Sequence, residues 1–119
     1  MNLCCKEMEY VPEFAGNREL PEEEQARVRL RELLARDMLE LQFAYAPDPN
    51  GASGFMRELL KKSVIEIRNL YMGDEPVTDG KALWEKCPAP YGGLVDEIAG
   101  EALKLNGIGP RGVRKRESS

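Results

Sequence analysis

The amino-acid sequence predicts a mainly α-helical domain of about four helices that begins with a short β-hairpin. Two observations predict the helices: apolar residues recur at intervals of three and four in separate segments, and glycine or proline residues divide these segments. A third observation predicts the hairpin, because apolar and arginine side chains alternate from Ala26 to Arg31, as in a half-buried strand. The length of 119 residues is enough for one globular domain, which we place at residues 1–110.

The first elements in the chain are the two strands of the predicted hairpin, at about residues 8–14 and 25–31. Tyr10, Val11 and Phe14 favour a strand, whereas Pro12 lacks the backbone donor that an inner strand needs, so this strand is expected at an edge of the sheet. A helix should follow, beginning near Leu30 to Leu33 and ending at about Tyr45. Its apolar stripe consists of Leu30, Leu33, Leu34, Met38, Leu41 and Tyr45.

The next helix is predicted from about Gly54 to Tyr71, after a loop from Ala46 to Gly54 that contains two prolines and two glycines. The residues on its apolar face are Met56, Leu59, Leu60, Val64, Ile67, Leu70 and Tyr71. Leu60 and Ile67 on this face are predicted core positions. Substituting either residue by alanine should therefore lower the unfolding free energy of the protein by about 2–5 kcal/mol.

Two further helices complete the prediction. Gly73 and Pro76 indicate a turn from Met72 to Val77, after which Thr78 or Asp79 can cap a short helix that contains Leu83 and Trp84. The last helix should run from about Tyr91 to Asn106. Gly107 would end it in the left-handed conformation.

Charge is distributed unevenly along the chain. The net charge is −4 overall, but residues 1–110 hold 13 basic and 20 acidic residues, a net charge of −7, whereas the segment 111–119 is basic. We interpret 111–119 as a flexible tail and expect no nucleic-acid binding by the folded part. The sequence has no apolar run long enough for a membrane span and no secretory signal, which predicts a cytoplasmic protein.

Residues for catalysis and metal binding are scarce. The chain has no histidine, its three cysteines lack the spacing of a zinc site, and no phosphate-binding glycine motif occurs. Asp37, near the apolar stripe of its helix, is the one carboxylate that stands out, and it is better explained as a solvated residue at the edge of the stripe. We therefore expect no enzyme activity, no metal and no cofactor.

Several apolar residues lie off the predicted stripes and are candidates for binding a partner. Isolated exposed apolar residues are normal, and some helices are buried on two sides, so both structural explanations remain open. The functional alternative is a ridge or groove for an apolar helix of another protein, to which exposed aromatic residues would contribute strongly. The candidate residues are Leu39, Phe43, Phe55, Ile65, Tyr71 and Trp84.

An ordered series of short motifs resembles the tail assembly chaperones of long-tailed (siphovirus-like) bacteriophages. The resemblance covers about 95 residues of the chain. The motifs in order are EYVPEF, GNRELPEEEQ, ARVRLREL, SVIEIRNL, EPVTDGKAL and LVDEIAGEALKLN.

The resemblance implies a phage or prophage protein that binds the tape-measure protein and keeps it soluble in the bacterial cytoplasm during tail assembly. It also implies contact with the tail-tube protein through a longer, frameshifted product of the same gene, and it implies no cofactor. Two other hypotheses stay open: a structural tail component or adaptor retained in the particle, and a helix-turn-helix nucleic-acid binder built on Lys61 to Lys86. Against the latter, Lys81 and Lys86 are the only cations in its second helix.

Overall fold

A three-stranded antiparallel sheet is the main difference between the structure and the prediction. The computed structural model describes residues 1, 3, 5–45 and 51–107. These residues form a mixed α/β domain, so the prediction of a mainly α-helical domain with about four helices is wrong. The strands and α-helices of this part of the chain are β1 (Glu7–Tyr10), β2 (Arg27–Arg31), α1 (Ala35–Tyr45), α2 (Gly51–Ser63), β3 (Val64–Arg68), β4 (Tyr71–Met72), β5 (Glu75–Pro76), α3 (Gly80–Lys86) and α4 (Gly92–Leu105). The first sheet has the strand order β1-β2-β3, and β4 pairs with β5 in a separate hairpin.

The error has its origin in a β-bulge in β3. Val28 of β2 pairs with Ile67, and Leu30 pairs with Val64, so three steps along β3 match two steps along β2. The extra residue lets Val64 and Ile67 both point into the core although they are three positions apart, the spacing of a helical stripe. The predicted helix from Gly54 to Tyr71 therefore ends at Ser63, and the β-branched residues after it form a strand.

The two predicted N-terminal strands do pair, in antiparallel register from Glu7 opposite Arg31 to Tyr10 opposite Val28. β1 lies at the edge of the sheet and ends two residues before Pro12. The connection between the strands contains two 3₁₀ helices, Phe14–Glu19 and Glu22–Glu24. The hairpin is thus shorter than predicted, with a long connection.

Two segments around the helices differ from the prediction or lie outside the described residues. The predicted loop Ala46–Gly54 is helical from Gly51 onward, since α2 begins there, and 46–50 lie outside the described residues. The predicted basic tail at 111–119 lies outside them as well. α1 begins at Ala35, a few residues after the end of β2.

The segment from Lys61 to Lys86 contains strands between its helices. After α2, the chain forms β3 and the β4–β5 hairpin, in which Gly73 has a φ of 65°, and only then begins α3. The segment therefore lacks the two consecutive helices of a helix-turn-helix. The cap of α3 is Asp79, whose carboxylate accepts a hydrogen bond of 2.8 Å from the backbone amide of Ala82.

The core lies between one face of the sheet and the helices, and α2 packs against α1, α3 and α4. Leu60 and Ile67 are buried, as predicted. The other large core residues are Val28, Leu30, Met38, Leu41, Leu59, Val64, Val77, Leu83, Leu94 and Ile98. α4 ends as predicted, with Gly107 at a φ of 79°.

Candidate partner-binding surfaces

An open groove of about 390 Å³ lies between α2, α3 and α4. Trp84 of α3 lies in this groove, where its side chain packs against the core and stays partly exposed. The other apolar residues that line the groove are Met56, Pro88, Ala89 and Val95. Ser53 and Asp96 contribute the polar part of the lining.

A close approach between α2 and α3 positions this groove. A Cβ atom at Gly80 would lie 2.0 Å from the backbone oxygen of Leu60, so only glycine lets α3 pack this closely on α2. The helix then carries Leu83 into the core and Trp84 to the groove. The groove therefore depends on a backbone contact at the opposite end of α3.

The segment after α3 forms the wall of the groove. A 3₁₀ turn, Ala89–Tyr91, joins α3 to α4. The thiol of Cys87 lies 3.4 Å from the carbonyl oxygen of Tyr91, to which it donates a weak hydrogen bond, and burial raises the pKa of this thiol. Cys87 therefore contributes to the turn in its neutral form rather than as a reactive thiolate.

A second apolar surface lies on the outer side of α1. Leu39 is 51% exposed and Phe43 is 79% exposed, and because they are four residues apart they lie on the same face of the helix. The opposite face of α1 is buried through Met38 and Leu41. α1 is thus apolar on two sides, as the predicted candidates Leu39 and Phe43 indicated.

The remaining candidates from the sequence are dispersed. Phe55 is partly buried against the core, which agrees with the alternative that some helices are covered on two sides. Ile65 is the residue at the bulge of β3 and is 38% exposed, and Tyr71 lies on the β4–β5 hairpin with 62% of its surface exposed. Neither Ile65 nor Tyr71 lines the groove at Trp84.

Sequence reasoning missed Met56 and Val95 as groove residues. Met56 belongs to the apolar stripe of α2 and was therefore interpreted as core, but it lies near the start of the helix, where the stripe opens into the groove. Its position in the stripe does not distinguish a core residue from one that lines the groove. A groove lined by both a methionine and a tryptophan is nevertheless adaptable and well suited to an apolar partner.

The outer face of the three-stranded sheet is charged. The guanidinium of Arg27 donates a hydrogen bond of 2.7 Å to Glu9, and this bond holds the pKa of the Glu9 carboxyl below its usual value. Arg27 also pairs with Glu22, and Arg68 pairs with Glu66. These contacts are exposed ion pairs, which contribute little to stability.

No family model, no curated protein and no solved structure matches this chain. Within residues 1, 3, 5–45 and 51–107, no group of three or more histidine, cysteine or acidic residues is arranged to hold a metal ion. No helix in this part of the chain has both the length and the apolar character that a bilayer span requires.

Proposed function

We propose that this protein is a tail assembly chaperone of a long-tailed phage or prophage, which binds the tape-measure protein and keeps it soluble in the host cytoplasm. The observation that carries the proposal is the groove at Trp84, an apolar surface open to solvent between three helices. The order of the sequence motifs supplies the identity of the partner.

The groove suits one or two large apolar side chains of a helix. Helices that bind in grooves present such anchors at intervals of three, four or seven residues, and partly buried tryptophan residues are common binding hot spots. A tape-measure protein is long, helical and partly apolar, so it offers many segments of this kind. Covering them would lower its tendency to aggregate.

The exposed pair on α1 provides a second contact. Leu39 and Phe43 have no covering element among the described residues, and burial against an apolar partner would stabilise a complex by about 1.5–3 kcal/mol for each side chain that becomes fully buried. Two separate apolar surfaces would let one chaperone molecule hold a longer stretch of its client. A longer frameshifted product would bring the same domain to the tail-tube protein.

Coexpression with the tape-measure protein of the same genome tests the proposal. We expect the soluble fraction of the tape-measure protein to increase when this chain is present. Ala89→Glu, which places a charge on the rim of the groove, should abolish the increase. The matched control is Ala35→Glu, because Ala35 is exposed at the start of α1 and lies outside the groove.

The surface on α1 is tested in the same assay with Phe43→Ser, for which Leu20→Ser is the control, since Leu20 is also an exposed apolar residue. Unchanged solubility of the tape-measure protein with the wild-type chain would refute the chaperone proposal. Mass spectrometry of purified virions addresses the alternative of a structural tail component. A chaperone should be absent from them.

A further inference from the structure

A basic cleft of about 440 Å³ lies where β2 and β3 meet the end of α2 and the start of α3. Its rim has four cations and two carboxylates, although residues 1–110 as a whole have a net charge of −7. The rim residues are Arg31, Lys61, Lys62, Lys81, Glu7 and Asp79. The cleft is thus a local reversal of the charge of the domain.

Three of the cations have no carboxylate of the described residues within ion-pairing distance. Arg31, Lys62 and Lys81 form no ion pair with any residue that the structure describes, whereas Lys61 lies 3.6 Å from the carboxylate of Glu58. An excess of unpaired positive charge around a concave surface attracts anions more strongly than isolated lysines do. The cleft therefore favours an anionic ligand.

The guanidinium of Arg31 is positioned before any ligand binds. Its Nε donates a hydrogen bond of 2.8 Å to the carbonyl oxygen of Lys62, and the hydroxyl of Ser63 donates one of 2.8 Å to the carbonyl oxygen of Arg31. Both the backbone and the side chain of Arg31 are thus fixed. The two terminal nitrogens have no partner in the described part of the chain, and they match the two oxygens of a carboxylate.

The other rim residues indicate what kind of anion fits. Asp79 already caps α3, and Ile65 at the bulge of β3 gives the lining an exposed apolar residue. A ligand that carries both a carboxylate and an apolar side chain would match this combination. Nucleic acid fits less well, because it offers a continuous row of phosphates and no apolar side chain for Ile65, and part of that row would meet Glu7 and Asp79.

We infer that this cleft binds an acidic segment of a partner protein, in which a glutamate or aspartate pairs with Arg31 and an adjacent apolar residue covers Ile65. The inference goes beyond the proposed chaperone function and does not depend on it. The cleft and the groove at Trp84 have no lining residue in common, so the two sites can be tested separately.

A titration of the full-length, ¹⁵N-labelled protein with a synthetic peptide of four Glu-Leu repeats tests the inference. We expect the amide signals of Arg31, Lys62, Ile65 and Lys81 to shift on binding. The double variant K62Q/K81Q should bind the peptide about five- to tenfold more weakly, since two exposed charge pairs are lost. Arg31→Lys should also lower the affinity for the peptide, because lysine keeps the charge but lacks the planar guanidinium group.

The control variant is K86Q/K104Q, which changes the net charge equally but removes lysines that lie outside the cleft. It should bind the peptide as the wild-type protein does. A peptide of four Lys-Leu repeats and a 12-nucleotide single-stranded DNA complete the experiment. The inference is overturned if the acidic peptide causes no shifts at the cleft, or if both double variants lower the affinity for this peptide equally. It is also overturned if the DNA binds the cleft more tightly than the acidic peptide does.

Discussion

The hydroxyl of Tyr10 donates a hydrogen bond of 2.5 Å to the carboxylate of Glu97, 87 residues later in the chain. The same carboxylate accepts hydrogen bonds from the backbone amides of Glu13 and Phe14, at 2.8 and 3.1 Å. Glu97 therefore joins α4 to the end of β1 and to the turn that follows it.

This contact predicts a loss of stability in alkaline solution. Burial, together with the hydrogen bond to Glu97, raises the pKa of Tyr10 above its usual value of 10.0. The folded state keeps the proton while the unfolded state loses it, so this contribution to stability is complete below about pH 10 and is lost as the pH rises further. The unfolding free energy, measured with urea, should fall less between pH 8 and pH 11 for Tyr10→Phe than for the wild-type protein. An equal fall in both proteins would contradict the prediction.

The contact between Gly80 and Leu60 predicts opposite effects for two glycine-to-alanine substitutions. Gly80→Ala forces a Cβ atom against the backbone oxygen of Leu60 and should cost about 1–3 kcal/mol or more of unfolding free energy. Gly100→Ala in α4 has nothing within 4 Å of its new Cβ and should stabilise by about 0.5–1 kcal/mol, because alanine favours helices. Denaturant unfolding measures both changes. Destabilisation by the two variants alike would show that the contact is not the cause.

A buried asparagine predicts a difference between two nearly isosteric side chains. Asn17 donates to the carbonyl oxygens of Pro12 and Ala26 and accepts from the amide of Ala26. Asn17→Asp keeps the acceptor but places a carboxylate next to two carbonyl oxygens, so it should cost about 1–3 kcal/mol or more. Asn69→Asp, at an exposed position with a similar pair of carbonyl partners, should cost less. Equal losses in thermal unfolding would mean that burial does not matter here.

Two isoleucines in β3 differ sharply in burial. Ile67 is 3% exposed, so Ile67→Ala should lower the unfolding free energy by about 2–5 kcal/mol. Ile65 lies at the bulge, and Ile65→Ala should lower it much less. Chemical denaturation of Ile67→Ala and Ile65→Ala provides the comparison. A large loss for Ile65→Ala would place this side chain in the core and contradict the register of the bulge.

The bulge in β3 also shows how much of the fold could be predicted from the sequence. The alternation in β2 and the turn at Gly107 depend on neighbouring residues, and local patterns identified them. A local pattern also narrowed the cap of α3 to Thr78 or Asp79, of which the structure has Asp79. The bulge depends on pairing between Val28 and Ile67, which are 39 positions apart, and its three-residue spacing imitates a helix. Strand assignment there required tertiary information.

For the candidate surfaces, the sequence indicated Trp84, Leu39 and Phe43, because residues opposite an apolar stripe and large aromatic residues can be recognised from spacing and type. It did not indicate the groove itself. Met56 and Val95 join Trp84 only through the packing of three helices, which a linear pattern does not contain. The basic cleft was missed for the same reason, since Arg31 and Lys81 come from different elements.

The bonds that tie α4 to the first part of the chain also bear on how the protein is made. Besides the contact of Glu97 with Tyr10, the side chain of Asn106 accepts a hydrogen bond of 2.7 Å from the amide of Leu33. The segment from β1 to Leu33 is thus held in place by a helix that the ribosome synthesises long after β2. Contacts so distant in sequence slow folding and leave the sheet's apolar face uncovered during synthesis. A protein that we propose to protect an aggregation-prone client would itself be exposed to aggregation until α4 emerges.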